Sequence, residues 1–257
     1  MTENKITTLE RTIEILDCFT PEHSELGVRE TARLLGMSHS TTGRLLSGLK
    51  DMGVLNQNPA TKMYSLGGKV LAWAGSYNST LDVRNRALPY LEELNTETQE
   101  TISLYVLEGD VRVCVERLES THNIRMVARI GRRLPLYAGS AGKVFLAFLP
   151  ESKKDEILSR TAFDPLTPVT ITEVKELNKE IAKIRKQGFA ESHGEWILEA
   201  SGIACPIFDR TGNVIAALTL SGPSQRFTKE TVARFIPIVL RVASEISQSM
   251  GYIQTLN

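Results

Sequence analysis

Three side chains near the N-terminal end of the chain have the chemistry of a nucleic-acid contact. At helical spacing, Ser40, Thr41 and Arg44 share a face that differs from that of the leucines at 45, 46 and 49. An arginine can donate two hydrogen bonds to guanine, and short hydroxyl groups reach phosphates or base edges. The pattern predicts that this helix contacts DNA. The alternative is that these are ordinary polar side chains of a solvated helix.

The segment that must position these side chains has the pattern of a helix-turn-helix. Residues 28–49 predict a helix, a glycine turn and a second helix with a polar, basic outer face. Small Ala32 lets the helices approach, Gly36 lies where the turn needs a positive φ, and Ser38 is placed as an N-cap. In such a motif the second helix enters the major groove of DNA.

The next residues predict a two-stranded wing. Residues 54–57 and 62–66 flank Asn58-Pro-Ala-Thr61, which favours a turn. Lys62, at the tip, is expected to hold the DNA backbone without reading bases. Two candidate phosphate contacts have alternatives, since Arg11 can pair with an acid of its own helix and His39 can simply be exposed. The predicted DNA-binding residues are Arg11, Ser38, His39, Ser40, Thr41, Thr42, Arg44 and Lys62.

Positive charge is concentrated on the predicted reading unit, although the whole chain has a formal net charge of zero. Residues 1–27 contain two basic and six acidic side chains, whereas residues 28–64 contain five basic and two acidic ones. Phosphate contact requires this local positive charge. Because the charge is modest, a monomer is expected to bind DNA weakly, and dimerisation is expected to supply useful affinity.

Length and composition predict a two-domain, cytoplasmic protein. A chain of 257 residues exceeds a DNA-binding module alone. We expect a DNA-binding domain over 1–66, a linking helix over 67–80 and a second domain over 81–257. The N-terminus has no apolar signal core, and no apolar run is long enough to span a membrane. The three separated cysteines form no metal or disulfide pattern, so no metal, cofactor or catalytic residue is expected.

The periodicity predicts the main elements. The first helix is expected over residues 7–19, with one buried stripe formed by Ile6, Leu9, Ile13 and Leu16. Two hairpins are expected in the second domain, with further helices and one further strand beside them. The hairpin turns are expected at 108–110 and 209–212, the strand over 124–130, and the helices over 82–98, 143–150, 170–187 and 229–250. The helix over 170–187 is expected to start at a Thr170-Ile-Thr-Glu173 capping box. These elements predict an α+β domain with an antiparallel sheet and flanking helices.

The chain resembles bacterial transcriptional regulators of the IclR family along nearly its whole length. Each matching motif is short, and their order and spacing carry the resemblance. In the first half they are Arg11-Thr-Ile-Glu-Ile-Leu16, Met37-Ser-His-Ser-Thr-Thr-Gly-Arg-Leu-Leu46 and Tyr64-Ser-Leu-Gly67; in the second half they are Gly139-Ser-Ala-Gly-Lys143, Gly202-Ile-Ala-Cys-Pro-Ile207 and Leu218-Thr-Leu-Ser-Gly-Pro223.

The resemblance implies an N-terminal winged helix-turn-helix, a GAF- or PAS-like effector-binding domain, and dimers that pair into tetramers. It also implies a regulator of a catabolic or metabolic operon, controlled by a small organic acid or related metabolite. Three positions differ from what members often carry: His39 replaces a lysine, Ser192 an acidic residue and Gly202 a cysteine. We therefore expect a pocket that is less polar than in relatives binding small oxoacids.

An effector site is expected where Gly139 and Ser140 begin a helix. Free backbone N–H groups and the helix dipole favour a carboxylate there, although glycine and serine can also do no more than cap a helix. The resemblance places this loop at the pocket floor, with Gly202, Thr219 and Ser221 opposite and Ser192 nearby. Arg125 and Arg129, on one strand face, are further candidates for an acidic effector, or are exposed.

A rival hypothesis is an enzyme on a GAF-like fold, of the thiol reductase type, with a vestigial DNA-binding domain. Cys114 or Cys205 would then act as the nucleophile. Such chemistry needs a second thiol or an activating base close by, and neither cysteine has a sequence neighbour that suggests one. The sequence therefore favours a regulator over an enzyme.

Overall fold

The chain forms two compact units, Met1–Thr80 and Leu81–Asn257. The computed structural model describes residues 3–80, 82–124 and 129–253, with side chains at 8–76, 82–124 and 129–253. In the described residues, no helix has the length and apolar character needed to cross a membrane.

The N-terminal unit is a winged helix-turn-helix. Gly36 has a φ of 60° in the turn, and the Ser38 side chain accepts a hydrogen bond from the Thr41 amide, as an N-cap does. Its strands pair in antiparallel fashion, and Ile15, Leu26 and Leu46 are fully buried in its core. In order, its elements are α1 (Glu3–Asp17), α2 (Val28–Leu34), α3 (His39–Asp51), β1 (Leu55–Gln57), β2 (Tyr64–Leu66) and α4 (Gly68–Thr80).

The buried face of α1 differs from the predicted one. Leu9 and Ile13 are 68% and 58% exposed, whereas Ile15 and Phe19 pack in the core. Leu16 is half-buried, and the side chain of Ile6 lies outside the described residues. The prediction of one buried stripe is therefore wrong within this unit, because the spacing of three and four residues marks an apolar face without showing what covers it.

The C-terminal unit is an α+β domain built on one six-stranded sheet. The strand order is β5-β4-β3-β8-β7-β6, and every neighbouring pair is antiparallel. Both predicted hairpins, β3–β4 and β7–β8, are present. The elements are α5 (Asp82–Thr98), β3 (Thr101–Glu108), β4 (Val111–Leu118), β5 (Arg133–Pro135), α6 (Ser140–Phe148), α7 (Glu151–Arg160), α8 (Val174–Gln187), β6 (Ala190–His193), β7 (Ala200–Phe208), β8 (Val214–Pro223) and α9 (Lys229–Ser249).

Helices cover the sheet in two separate apolar clusters. One cluster joins α5 and α9 to alternate strand residues such as Ile203 and Leu218. The other joins α6, α7 and α8 to residues such as Ala204 and Ala217. Adjacent residues of one strand thus enter different clusters, as the two-residue period of a strand requires. Most strand residues are buried for this reason.

The structure differs from the prediction at the start of α8, and part of one predicted strand lies outside the described residues. Helix α8 begins at Val174, and its N-cap Glu173 makes no side-chain capping bond, so the capping box at Thr170 is wrong. The Thr170 hydroxyl instead donates to the backbone oxygen of Glu195, at 2.8 Å. Of the strand expected over 124–130, residues 125–128 lie outside the described residues. The sequence prediction did not include α7, β5 or β6.

Truncating Leu46 tests the core of the N-terminal unit. Leu46→Ala should lower its free energy of unfolding by about 2–5 kcal/mol, because Leu46 is fully buried and a cavity would remain. Leu34→Ala, the same truncation at a side chain that is 48% exposed, should cost less than about 1 kcal/mol. Urea unfolding followed by Trp73 fluorescence in a Trp196→Phe background measures both. Equal losses would contradict this core assignment.

Candidate functional site

Helix α3 presents the short polar surface that the sequence predicts. Ser38, His39, Ser40 and Arg44 are exposed, and Thr41 is half-buried. The Ser38 hydroxyl donates to Thr41 Oγ1 at 2.9 Å and accepts from the Thr41 amide at 3.2 Å. These two hydroxyls therefore stabilise the start of the helix, while Ser40 and Arg44 extend from its first two turns.

Thr42 does not belong to this surface. Its side chain is fully buried, and its hydroxyl donates to the backbone oxygen of Ser38 at 3.0 Å. A side chain in this position cannot reach DNA while the helix remains folded. The prediction of Thr42 as a DNA contact is therefore corrected: it stabilises the first turn of α3 from the inside.

The wing tip is held in a defined conformation. Asn58 Oδ1 accepts hydrogen bonds from the amides of Ala60 and Thr61, at 3.0 and 3.3 Å, as an Asx turn does. Lys62 has a φ of 61°, and its backbone oxygen accepts from Gln57 Nε2. The Lys62 side chain is exposed at the tip, and Arg11 is exposed on α1.

The six predicted effector residues meet in one pocket of the C-terminal unit. The pocket encloses about 650 Å³, including its open mouth. It lies between the start of α6, strands β7 and β8, and the loop that connects β6 to β7. The six residues, Gly139, Ser140, Ser192, Gly202, Thr219 and Ser221, all line it. Thr219 Oγ1 is buried without a hydrogen-bond partner among the described residues.

A buried ion pair fixes the floor of the pocket. Lys143 of α6 is only 1% exposed, and its Nζ lies 2.5 Å from Glu195 Oε1 and 2.8 Å from the Glu191 backbone oxygen. Glu195 Oε2 accepts a hydrogen bond from the Gly139 amide at 2.9 Å. The Gly139 N–H that was expected to be free for a ligand carboxylate is therefore already bound to a carboxylate of the chain itself.

Arg112 of β4 holds the segment that precedes α6, on the same side of the pocket. Its guanidinium donates to the backbone oxygens of Pro135 and Ala138, which precede α6, and lies over the ring of Tyr105. Gly142 leaves room for it, because an added Cβ would collide with Arg112 and with the Leu136 oxygen. Burial, with a smaller contribution from nearby Arg132, lowers the pKa of Arg112 to about 10, so Arg112 is cationic at neutral pH.

Sequence reasoning missed the charged and aromatic residues of this pocket. The lining also includes Tyr105, Arg112, Arg132, Glu195 and Trp196, so the pocket is not short of polar groups. Two charges of the site carried a signal in the sequence: Arg112, which lines the pocket, stands among apolar residues of a strand, and Lys143, which pairs with Glu195, stands in an apolar helix. Such positions are seldom charged without a partner or a role. Of the two further candidates, Arg129 does not line the pocket, and Arg125 lies outside the described residues.

The comparisons with known proteins agree with this architecture. The family described as "IclR helix-turn-helix domain" matches residues 8–59, and "Bacterial transcriptional regulator IclR C-terminal" matches residues 75–248. The chain belongs to the IclR family. The HTH-type transcriptional regulator KdgR of Escherichia coli strain K12 is 35% identical over 90% of this chain and 88% of its own length.

Solved IclR-family structures share the fold. The crystal structure of Thermotoga maritima IclR matches with a TM-score of 0.82 and 31% identity, covering 96% of this chain and all of that one. An IclR homologue of Microbacterium hydrocarbonoxydans, solved in complex with 4-hydroxybenzoate, matches with a TM-score of 0.80 and 27% identity over 95% of this chain and 98% of its own. The chain is accordingly a ligand-responsive, DNA-binding transcriptional regulator.

The rival thiol enzyme is excluded, since IclR-family proteins are regulators. The cysteines have the chemistry of core residues. Cys114 and Cys205 are free and buried, and burial raises the pKa of both thiols, that of Cys114 to about 11. Because only a thiolate is a good nucleophile, neither residue is activated at neutral pH. In the part of the chain that the structure describes, no group of three or more His, Cys, Asp or Glu side chains is placed to hold a metal.

Substitutions on α3 should separate DNA contact from helix stability. Arg44→Ala should weaken binding to DNA from the regulatory region beside its gene by about 1–3 kcal/mol, because an exposed guanidinium is lost. Thr42→Val removes a buried hydrogen bond, so it should lower stability by about 1 kcal/mol and leave DNA affinity unchanged. Fluorescence anisotropy and thermal melting measure the two effects. Weaker DNA binding by a folded Thr42→Val variant would contradict the correction at Thr42.

Alkylation tests the state of the thiols. Below a pKa of about 11 the Cys114 thiol is protonated, so at pH 7.5 fewer than about one molecule in a thousand carries the thiolate. Iodoacetamide should therefore leave Cys114 and Cys205 unmodified in the folded protein and modify both in guanidinium, as peptide mass spectrometry would show. Rapid modification of either cysteine in the folded protein would disagree with this assignment.

Proposed function

We propose that this regulator binds an inverted-repeat operator of a catabolic or metabolic operon and that a small organic acid in the pocket changes its operator affinity. One observation carries the proposal. Six residues from separate parts of the C-terminal unit line one pocket, in a chain whose other unit exposes a DNA-reading helix. The pocket offers hydroxyl and guanidinium groups, which suit an acid.

The proposed DNA contacts follow from exposure and chemistry. Arg44 and Ser40 face base edges or phosphates from α3, and His39 contacts a phosphate at the helix start. Lys62 of the wing and Arg11 of α1 hold the backbone on either side. Ser38 and Thr41 contribute mainly by fixing the start of α3, since their hydroxyls are bonded to each other.

We propose a homodimer as the operator-binding form. Four large apolar side chains on α1 and α4 are more than half exposed, which is costly unless another surface covers them. They are Leu9 at 68% and Ile13 at 58% on α1, and Leu71 at 76% and Trp73 at 51% on α4. A dimer would bury them and would place two reading helices on the half-sites of an inverted repeat. Pairing of dimers into tetramers, and action in the cytoplasm where the operator DNA is, complete the proposal.

In this mechanism the effector acts on a conformational equilibrium. An acid that binds one arrangement of the dimer more tightly than another shifts the population toward it. Operator affinity changes by the same coupling free energy, typically about 1–3 kcal/mol. The homologue solved with 4-hydroxybenzoate supports an organic acid as the kind of molecule that this fold can hold.

DNase I footprinting on the regulatory region beside the gene tests operator binding and dimerisation together. The protein should protect an inverted repeat. Leu9→Glu should convert the dimer into monomers in sedimentation velocity and abolish the footprint, because a charge on the α1 stripe opposes its burial. Thr8→Glu, which adds the same charge one position away, should retain both. Absence of a footprint with the wild-type protein would refute operator binding. An unchanged dimer in the Leu9→Glu variant would refute the proposed dimer contact.

A further inference from the structure

The pocket contains two arginines that form no ion pair with an acid of the described chain, although the charge of Glu195 raises the pKa of Arg112. Arg112 and Arg132 both line it, and no carboxylate among the described residues forms an ion pair with either of them. The one acid in the lining, Glu195, is committed to Lys143 at 2.5 Å. The remaining lining groups of the sheet and helix α6 are neutral. The lining therefore has an excess of positive charge.

Arg112 is buried although its hydrogen bonding is incomplete. The residue is 4% exposed, and its Nε has no partner in the part of the chain that the structure describes. An unpaired buried charge is expensive, because the interior solvates it poorly. The buried and unpartnered Oγ1 of Thr219 lines the same space. Two polar groups of residues that line the pocket thus lack a hydrogen-bond partner among the described residues.

Arg132 adds a second positive charge beside the first. Its guanidinium carbon lies 4.8 Å from the ring centre of Trp196, a cation–π contact, and the residue is only half-buried. Burial is the main cause of the lowered pKa of Arg112, and the positive charge of Arg132 contributes to it in the same direction. Like charges that share a partly buried site are stabilised when an anion lies between them.

The start of α6 supplies neutral donors to the same space. The first helical bond of α6 is that from the Lys143 amide to the Gly139 oxygen, so the amides of residues 140–142 precede the helical bonding pattern. Gly139 itself is bound to Glu195, which confines an incoming anion to the Ser140 side, toward Arg112. The amides at the start of α6 and the two guanidinium groups of the lining therefore all offer donors to negative charge.

On this basis, and resting on the proposed function of the pocket, we infer that its effector is a short-chain dicarboxylate. One carboxylate binds between Ser140 and Arg112, and the other binds the guanidinium of Arg132 beside Trp196. The second negative charge is what distinguishes such an acid from a monocarboxylate, because it neutralises the second arginine. Charge-assisted hydrogen bonds of this kind are about twice as strong as neutral ones.

A purely structural role for both arginines is the competing explanation. Arg112 anchors the loop before α6, and Arg132 holds Trp196. The test therefore varies the charge of the ligand as well as that of the protein. Malonate, succinate and glutarate are compared with their monoamides, which have nearly the same shape and one charge less. Isothermal titration calorimetry on the full-length protein measures each dissociation constant.

We expect at least one diacid to bind about tenfold or more tightly than its own monoamide. Arg132→Ala should remove that preference while changing monoamide affinity by less than about twofold, as a thermodynamic cycle requires of a direct pair. Arg133→Ala is the matched control, since it removes the same charge one position away, from an exposed side chain that pairs with Glu108. The control should keep the diacid preference, and thermal melting without ligand confirms that both variants fold.

Equal binding of a diacid and its monoamide by the wild-type protein would overturn the inference. The proposed function would stand in that case, because an acid would still bind in the pocket. Equal losses in Arg132→Ala and Arg133→Ala would also overturn it, because the effect would then be long-range and not a contact. If no diacid binds, the inference is wrong. The operator footprint separates that result from a failure of the regulator proposal itself.

Discussion

The buried ion pair between Lys143 and Glu195 is the interaction on which the proposed effector pocket depends. It joins helix α6 to the loop between β6 and β7, and the same Glu195 carboxylate accepts the Gly139 amide at the helix start. Thr170 holds the Glu195 backbone from the other side. Removing one member of such a pair leaves an uncompensated buried charge, typically at a cost of about 3–5 kcal/mol. The start of α6 and the β6–β7 loop, which both line the pocket, are therefore held together by contacts that converge on Glu195.

In this arrangement, the residues that hold the pocket together differ in part from those proposed to bind a ligand. Glu195 bonds to Lys143 and to a backbone amide, so it supports the pocket, and it forms no ion pair with Arg112 or Arg132, although its charge favours the charged form of Arg112. Arg112 shares both roles, because it holds the backbone before α6 and still presents an incompletely bonded guanidinium. A rigid frame with unsatisfied donors is the condition under which a small anion can bind without first reorganising the protein.

The elements set by local chemistry were predictable from the sequence. A glycine with positive φ at Gly36, the Ser38 cap and the Gly188 helix end with φ 83° each depend on neighbouring residues alone. The long-range contacts were not predictable from the sequence. Thr170 has the spacing of a capping box, yet its hydroxyl bonds to a residue 25 positions away. Arg112 lies at the pocket because of the register of β4 in the sheet, and Glu195 because of the loop that follows β6. The apolar stripe that includes Leu9 has the same periodicity whether it faces a core or another chain.

The conformation of the wing tip has a consequence for the energetics of DNA recognition. Lys62 adopts a left-handed backbone that costs a residue with a side chain about 1–2 kcal/mol, and the turn at Asn58 holds it there. The entropy of ordering the tip is thus lost when the protein folds and not when it meets DNA. The wing gives up some stability of the free protein so that a lysine, which we propose contacts the phosphate backbone, and not a glycine, occupies the tip.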